Sequence, residues 1–221
     1  MSVGFLLVVS SPSGAGKTTL CQRLLRSQAR LRFSVSYTTR PPRVGEIQGG
    51  HYHFVSTETF EDMVQKGRFA EWAFVHGNRY GTAIDAIQTA MDAGNDVLCE
   101  IDYQGALNLK KQFGQRVLLV YILPPSMKVL KERLYARGTE DDATILRRLA
   151  KAKEEISHYV EYDFLVVNQE VDTAYRELEA SYLWFSQKMR PELELSNELE
   201  QLAKACSLDE RAHKAQQLLL E

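Results

Sequence analysis

Cysteine is scarce in this chain: Cys21, Cys99 and Cys206 lie far apart, with neither pairing nor metal-ligand spacing. That excludes a disulfide-stapled secreted scaffold and a zinc ribbon. It points to reduced thiols in a cytoplasmic protein, with Cys21 and Cys99 as small packing residues in apolar surroundings. No apolar run approaches the ~18 residues that span a bilayer, and the apolar residues 5–9 have no basic segment ahead of them as a secretory signal would. No membrane partner is expected. Charge of one sign is also missing: 27 Lys and Arg against 29 Asp and Glu leave a formal net charge of −2, which offers no footprint for nucleic acid. The five histidines show no metal-ligand clustering, and there is no internal repeat or low-complexity tract. What remains is the composition of one globular α/β unit, 221 residues long, 44% hydrophobic and 25% charged.

The organising stretch is Ser10-Ser11-Pro12-Ser13-Gly14-Ala15-Gly16-Lys17-Thr18-Thr19, set between the apolar run and a helix-like run from 18 to about 30. A strand that ends in a glycine-bearing loop and then opens a helix brings backbone N–H groups onto a phosphate, and the helix N-terminus adds roughly half a positive charge. The stretch satisfies G-x-x-x-x-G-K-[ST] except at its first glycine, where Ser11 stands. Gly14 and Gly16 keep side chains out of the phosphate's way, Lys17 supplies charge, and the Thr18 hydroxyl suits a magnesium ion. Incidental glycines in a strand-turn-helix are the alternative; the intact Gly-Lys-Thr argues for a nucleotide-binding loop.

Runs of Val, Ile and Leu without alternation recur at 4–9, 97–101, 117–123 and 164–167, as in parallel strands buried on both faces. Helical patterns fall between them at about 18–30, 103–113, 126–136, 141–159 and 172–190, which predicts a doubly wound α/β core. From 33 to about 94 the pattern breaks into short alternating runs, Ser34-Val35-Ser36-Tyr37-Thr38 and His51-Tyr52-His53-Phe54-Val55. With Pro41-Pro42 and glycines between them, these predict antiparallel strands and short helices in a substrate-binding insertion. Glu100 and Asp102 end an apolar run two residues apart, hence on one strand face. Arg133, Arg137, Arg147 and Arg148 flank a glycine-containing break, which reads either as an arginine-bearing lid or as surface arginines on solvated helices. After Pro191, leucines at 193, 195, 199, 202, 208 and 218–220 mark an amphipathic helical extension that packs on its own domain or on another subunit as a homo-oligomer.

Several separate motifs now combine. Ser13-Gly14-Ala15-Gly16-Lys17-Thr18, Ser34-Val35-Ser36-Tyr37-Thr38-Thr39-Arg40-Pro41-Pro42-Arg43-Val44-Gly45-Glu46 and Gly49-Gly50-His51-Tyr52-His53-Phe54 are followed by Gly77-Asn78-Arg79-Tyr80-Gly81-Thr82, Glu100-Ile101-Asp102-Tyr103-Gln104-Gly105 and Asn168. In this order, from about residue 4 to about 190, they resemble guanylate kinase.

The resemblance implies a P-loop nucleoside monophosphate kinase over residues 1–190, with a parallel sheet flanked by helices. Its core would be about 1–32 and 95–190, with a mixed α+β GMP-binding insertion at about 33–94, a lid at about 133–150, and 191–221 as the extension. It implies magnesium-dependent transfer of the ATP γ-phosphoryl group to GMP, with dGMP a further acceptor, in guanine nucleotide synthesis and salvage. By match, Ser11, Pro12, Ser13, Gly14, Ala15, Gly16, Lys17, Thr18 and Thr19 would hold the ATP phosphates, with Asn168 near the adenine. Arg40, Arg43, Tyr52 and Tyr80 would hold the GMP phosphate, while Ser36, Glu71, Thr82 and Asp102 would read guanine. Glu71 would accept from N1–H and the exocyclic amine, and Ser36 and Thr82 would donate toward O6. Thr18, Glu100 and Asp102, with Asp102 foremost, would hold magnesium partly through water, and Lys17, Arg40, Arg133, Arg137 and Arg148 would neutralise the transferring group. Two rivals stay open: a kinase of AMP, UMP or thymidylate, and a non-catalytic binding module, against which the intact Lys17 and Thr18 count.

Overall fold

The computed structural model describes residues 4–75, 77–136 and 141–221. Arg137, one of the expected lid arginines, lies outside them. Numbered in chain order, the main sheet contains β1 (Leu6–Ser10), β2 (Leu31–Phe33), β7 (Asp96–Glu100), β8 (Val117–Leu123) and β9 (Phe164–Val167). Its order is β2-β7-β1-β8-β9 and every pairing is parallel. β1 and β8 are buried along their whole length, which is why their sequences do not alternate. Successive β1 residues still point to opposite faces: Leu6 and Val8 enter one apolar layer, Leu7 and Val9 the other. The pattern of apolar runs does not reveal β2, because at the sheet edge only Leu31 is buried while Arg32 and Phe33 face solvent.

Helices α1 (Lys17–Ser27), α4 (Tyr103–Phe113), α5 (Met127–Ala136), α6 (Asp142–Ser157) and α7 (Val171–Met189) cover the sheet. Because β1 is the central strand and ends at Ser10, the loop that follows falls at the carboxyl edge of the sheet, beside the end of β7. That edge is where open α/β sheets hold ligands.

The insertion forms a smaller sheet of β3 (Tyr37–Thr38), β4 (His53–Phe54), β5 (Phe69–Val75) and β6 (Asn78–Ala83), ordered β4-β3-β6-β5, with α2 (Thr57–Gln65) and α3 (Ile84–Asp92). β3–β6 and β5–β6 are antiparallel, but β3 and β4 pair in parallel, which corrects the expectation of antiparallel strands there. The connection 39–52 is long enough for a crossover, which takes about a dozen residues, so chain direction is not forced to reverse. A register shift between Phe69 and Glu71 marks a bulge in β5, and Asn108 of α4 donates to the Ala70 carbonyl there at 2.9 Å.

The extension folds as α8 (Asn197–Ala205) and α9 (Leu208–Leu220). At the break between them the Cys206 carbonyl accepts from Leu165 N at 2.8 Å, and Leu208 N donates to the Asp163 carbonyl at 3.0 Å, so the chain covers the outer edge of β9. Ala203, Cys206, Ala215 and Leu218 are buried against the domain, while Leu193 and Leu220 are exposed. The Arg211 guanidinium forks onto Glu177 at 2.7 and 2.6 Å, tying α9 to α7. A second buried pair closes the far end of α7: Asp96, fully buried, accepts from Arg190 at 2.9 and 2.8 Å, from the Tyr182 hydroxyl at 2.8 Å and from Phe5 N at 3.2 Å. Among the described residues no helix is long and apolar enough to cross a membrane.

Candidate active site

The loop after β1 owes its shape to two left-handed glycines, Gly14 at φ 93° and Gly16 at φ 92°. A Cβ on Gly16 would lie 2.2 Å from Asn168 Nδ2, so the site admits no side chain there. Gly16 also caps α1 without any side-chain hydrogen bond, which leaves first-turn N–H groups directed at a ligand. Asn168, expected near the adenine, is buried behind this loop: its Nδ2 donates to the Ala15 carbonyl at 2.7 Å. The Asn168 carbonyl in turn accepts from Arg133 at 3.0 Å, so one residue links the loop to the start of the expected lid.

Lys17 Nζ donates to Glu100 Oε2 at 2.9 Å, and Thr18 Oγ1 donates to the same oxygen at 3.0 Å. Asp102 is placed differently. The strand has ended, and Asp102 is the N-cap of α4, its Oδ1 accepting from Gly105 N at 3.0 Å. The expectation that the two acids share a strand face is therefore corrected, and Glu100, not Asp102, adjoins the Thr18 hydroxyl. Among the described residues no three His, Cys, Asp or Glu side chains converge as a metal cage. Thr18 and Glu100 nonetheless form a hard-oxygen pair of the kind magnesium uses, one or two protein ligands with phosphate and water completing the shell. Arg148 Nη1 reaches Ser13 Oγ at 3.3 Å, while Arg147 donates to Thr144 of its own helix, so Arg148 is the one that faces the loop.

Across from the loop, the small sheet carries the second half of the site. Arg40 forks onto Glu46 at 2.9 and 2.8 Å, and its guanidinium lies 5.4 Å from the Tyr52 ring centroid. Tyr52 and Tyr80 meet edge to face at 5.9 Å. Glu46 also accepts from Arg43 N at 2.7 Å, and the hydrogen bond from Arg40, followed by that from Arg43, holds its carboxyl down at about 2. Glu46 is an organiser that sequence reading missed; the available signal was an acid just past two arginines in one proline-bearing turn.

Glu71 stands immediately after the β5 bulge and accepts from Thr82 Oγ1 at 2.8 Å. Burial pushes its carboxyl up; the Thr82 hydrogen bond and, more weakly, Lys17 oppose the shift, while nearby Asp102 adds to it. The single hydroxyl proton of Thr82 is spent on Glu71, so in this rotamer it does not serve O6 as expected. A Cβ on Gly105 would sit 2.5 Å from Glu71 Cγ, so the first turn of α4 must lack a side chain for the carboxylate to lie there. Ser36 is half-buried just before β3, where its carbonyl accepts from His53 N at 2.9 Å.

Beside the phosphate loop at the carboxyl edge of a parallel sheet stands a cluster of arginine and tyrosine on the small sheet, with a half-buried carboxylate that senses both Lys17 and Asp102. That arrangement defines a P-loop phosphotransferase with two nucleotide sites. Comparison with known proteins narrows it: the family model described as guanylate kinase matches residues 4–184. The chain is 50% identical over 177 residues to a guanylate kinase of Sphingopyxis alaskensis, covering 80% of each chain. It is 51% identical over 180 residues to one of Nitratidesulfovibrio vulgaris, covering 81% of this chain and 86% of that one. The crystal structure of guanylate kinase from Anaplasma phagocytophilum superposes with a TM-score of 0.63 at 32% identity, covering 86% of this chain and 88% of that one. The chain belongs to the guanylate kinase family.

Proposed function

We propose that the chain is an ATP:GMP phosphotransferase in which the loop from Ser11 to Thr19 grips the donor phosphates and the small sheet holds GMP. A GMP phosphate oxygen attacks the γ-phosphorus of ATP; that O–P bond forms as the bond to the ADP oxygen breaks, giving GDP. No side-chain nucleophile is needed, so the protein's task is to place the two phosphates and neutralise their charge. The observation that carries the acceptor assignment is the half-buried Glu71 carboxylate, braced by Thr82 and close enough to Asp102 and Lys17 to feel the charge of both. Two acids side by side suit N1–H and the exocyclic amine of guanine, whereas adenine would set a lone pair against them.

Lys17 leaves Glu100 for the donor phosphates, and Arg148, already at Ser13, follows them. Arg40, oriented by Glu46 against the Tyr52 ring, grips the acceptor phosphate with Arg43, Tyr52 and Tyr80. Thr18 and Glu100 are the residues that would hold magnesium, with Asp102 acting through water; the ion supplies charge neutralisation on the phosphate oxygens. Arg133 and Arg137 belong to a lid whose closure excludes water, and we place the enzyme in the cytoplasm, its three cysteines buried and unpaired. An ADP-release assay with GMP, dGMP, AMP, UMP and dTMP, with and without magnesium, tests this reading. Turnover confined to the guanine nucleotides is expected, and equal use of AMP would overturn it.

A further inference from the structure

Directly behind the phosphate loop, three hydroxyls are buried, Ser10 Oγ, Tyr121 OH and Tyr162 OH; among the described residues none makes a well-formed hydrogen bond, although Ser10 and Tyr162 approach each other closely enough to interact. Ser10, the last residue of β1, and Tyr121 of β8 are register partners, and the Tyr162 ring meets that of Tyr121 edge-on at 4.8 Å. None is more than 2% exposed. An orphaned buried hydroxyl is costly, and phenylalanine would fill either tyrosine site without that cost. Three converging in one polar place are the setting of an ordered internal water.

Glu155 lies where these groups meet the loop. It is two helical turns beyond Arg148 on the same face of α6, and Arg148 already touches Ser13. Glu155 is also the residue from outside the loop that lines the loop's cavity of about 360 Å³, together with Ser13, Lys17 and Thr18. Both tyrosines feel its charge, it feels that of Asp102, and among the described residues its ion pair is a long one, 3.7 Å, to the exposed Lys151. A carboxylate facing bound phosphates is repelled unless something cationic or proton-rich lies between them.

We propose that the hydroxyls of Ser10, Tyr121 and Tyr162 enclose an ordered water that positions the Glu155 carboxylate at the phosphate loop, where it accepts a hydrogen bond from the water shell of the divalent cation bound with the nucleotide. The proposal rests on reading that loop as the donor-phosphate site. Glu155 is then a positioning residue of the metal–nucleotide complex, and the tyrosine hydroxyls act through it.

The test is equilibrium binding of a fluorescent ADP analogue, titrated with magnesium, in Glu155→Gln, Tyr162→Phe and the double variant, with Tyr121→Phe as a substitute should Tyr162→Phe melt early. Each single change should raise the magnesium concentration for half-maximal binding about tenfold or more, as loss of one hydrogen bond to a charged group implies. The double variant should shift no further than the singles, and magnesium-free binding should stay at its original level. Additive shifts, an unshifted Tyr→Phe variant, or an unshifted Glu155→Gln would each overturn the proposal. Failure of the unsubstituted protein to bind the analogue at saturating magnesium would instead overturn the reading of the loop itself.

Discussion

In the proposed reading the phosphate loop holds the donor phosphates and the small sheet the acceptor nucleotide, and the two regions are built of different materials. On the donor side the grip is backbone: two left-handed glycines, an uncapped helix start and a central strand buried along its whole length. On the acceptor side it is side chains: Arg40, Arg43, Tyr52 and Tyr80 for the phosphate and Glu71 for the base, with Glu46 aiming Arg40 and Thr82 bracing Glu71. A backbone site is fixed by a short local sequence and tolerates few changes of shape. A side-chain site can be retuned one residue at a time, which suits the half of the enzyme that must choose among nucleobases.

Lys17→Ala breaks this comparison most severely, because it removes the one side chain on which the backbone site depends. Turnover should fall about 10²–10³-fold in a coupled assay, with an unchanged melting temperature. Near-normal activity in a folded variant would show that the loop works by main chain alone.

Asp96→Ala should separate fold from site. Breaking a buried, fully bonded ion pair costs about 3–5 kcal/mol, read from denaturant unfolding, while the KM for each nucleotide stays put in the fraction that remains folded. A shift in either KM would mean that the amino edge of the sheet is coupled to the loop.

Acid should act on the acceptor side first. Glu71 must be ionised to accept from guanine, and burial raises its pKa, so the KM for GMP should climb about tenfold per pH unit below that raised value while the KM for ATP is flat. The linkage to stability has the opposite sense: with the folded value above the unfolded one, Glu71's contribution is full below the ordinary carboxyl range and is lost as pH rises through the raised value. An acid limb that survives in Glu71→Gln would assign it elsewhere.

The smallest effect is expected from Glu46→Gln. Arg40 keeps its charge but loses its fork partner, so the KM for GMP should rise severalfold with little change in kcat. A proportionate loss in the KM for ATP would contradict the division between the two sides.

The same division explains what could be read from the sequence. β1, β7, β8 and β9 were legible because burial on both faces removes alternation, and the loop was legible because Gly-Lys-Thr follows a strand. β2 was not, since an edge strand with one buried residue looks like coil. The parallel pairing of β3 with β4 was not, because alternation gives the faces of a strand but not its direction. The place of Asp102 is not legible either, because the two-residue period of a strand stops at Glu100, where the chain turns to cap α4. Asp96 with Arg190, and Asn168 with Ala15, unite residues too distant in sequence for any local pattern to join them. The acceptor residues were named through family resemblance, and their bracing by Glu46 and Gly105 emerged only in three dimensions.

The most direct test of the two-sided account is calorimetric titration of Glu71→Gln with GMP and, separately, with magnesium-ADP. GMP affinity should fall about 10–100-fold, as loss of a charge-assisted hydrogen bond dictates, with ADP affinity unchanged. Equal losses for both nucleotides, or none for GMP, would contradict it.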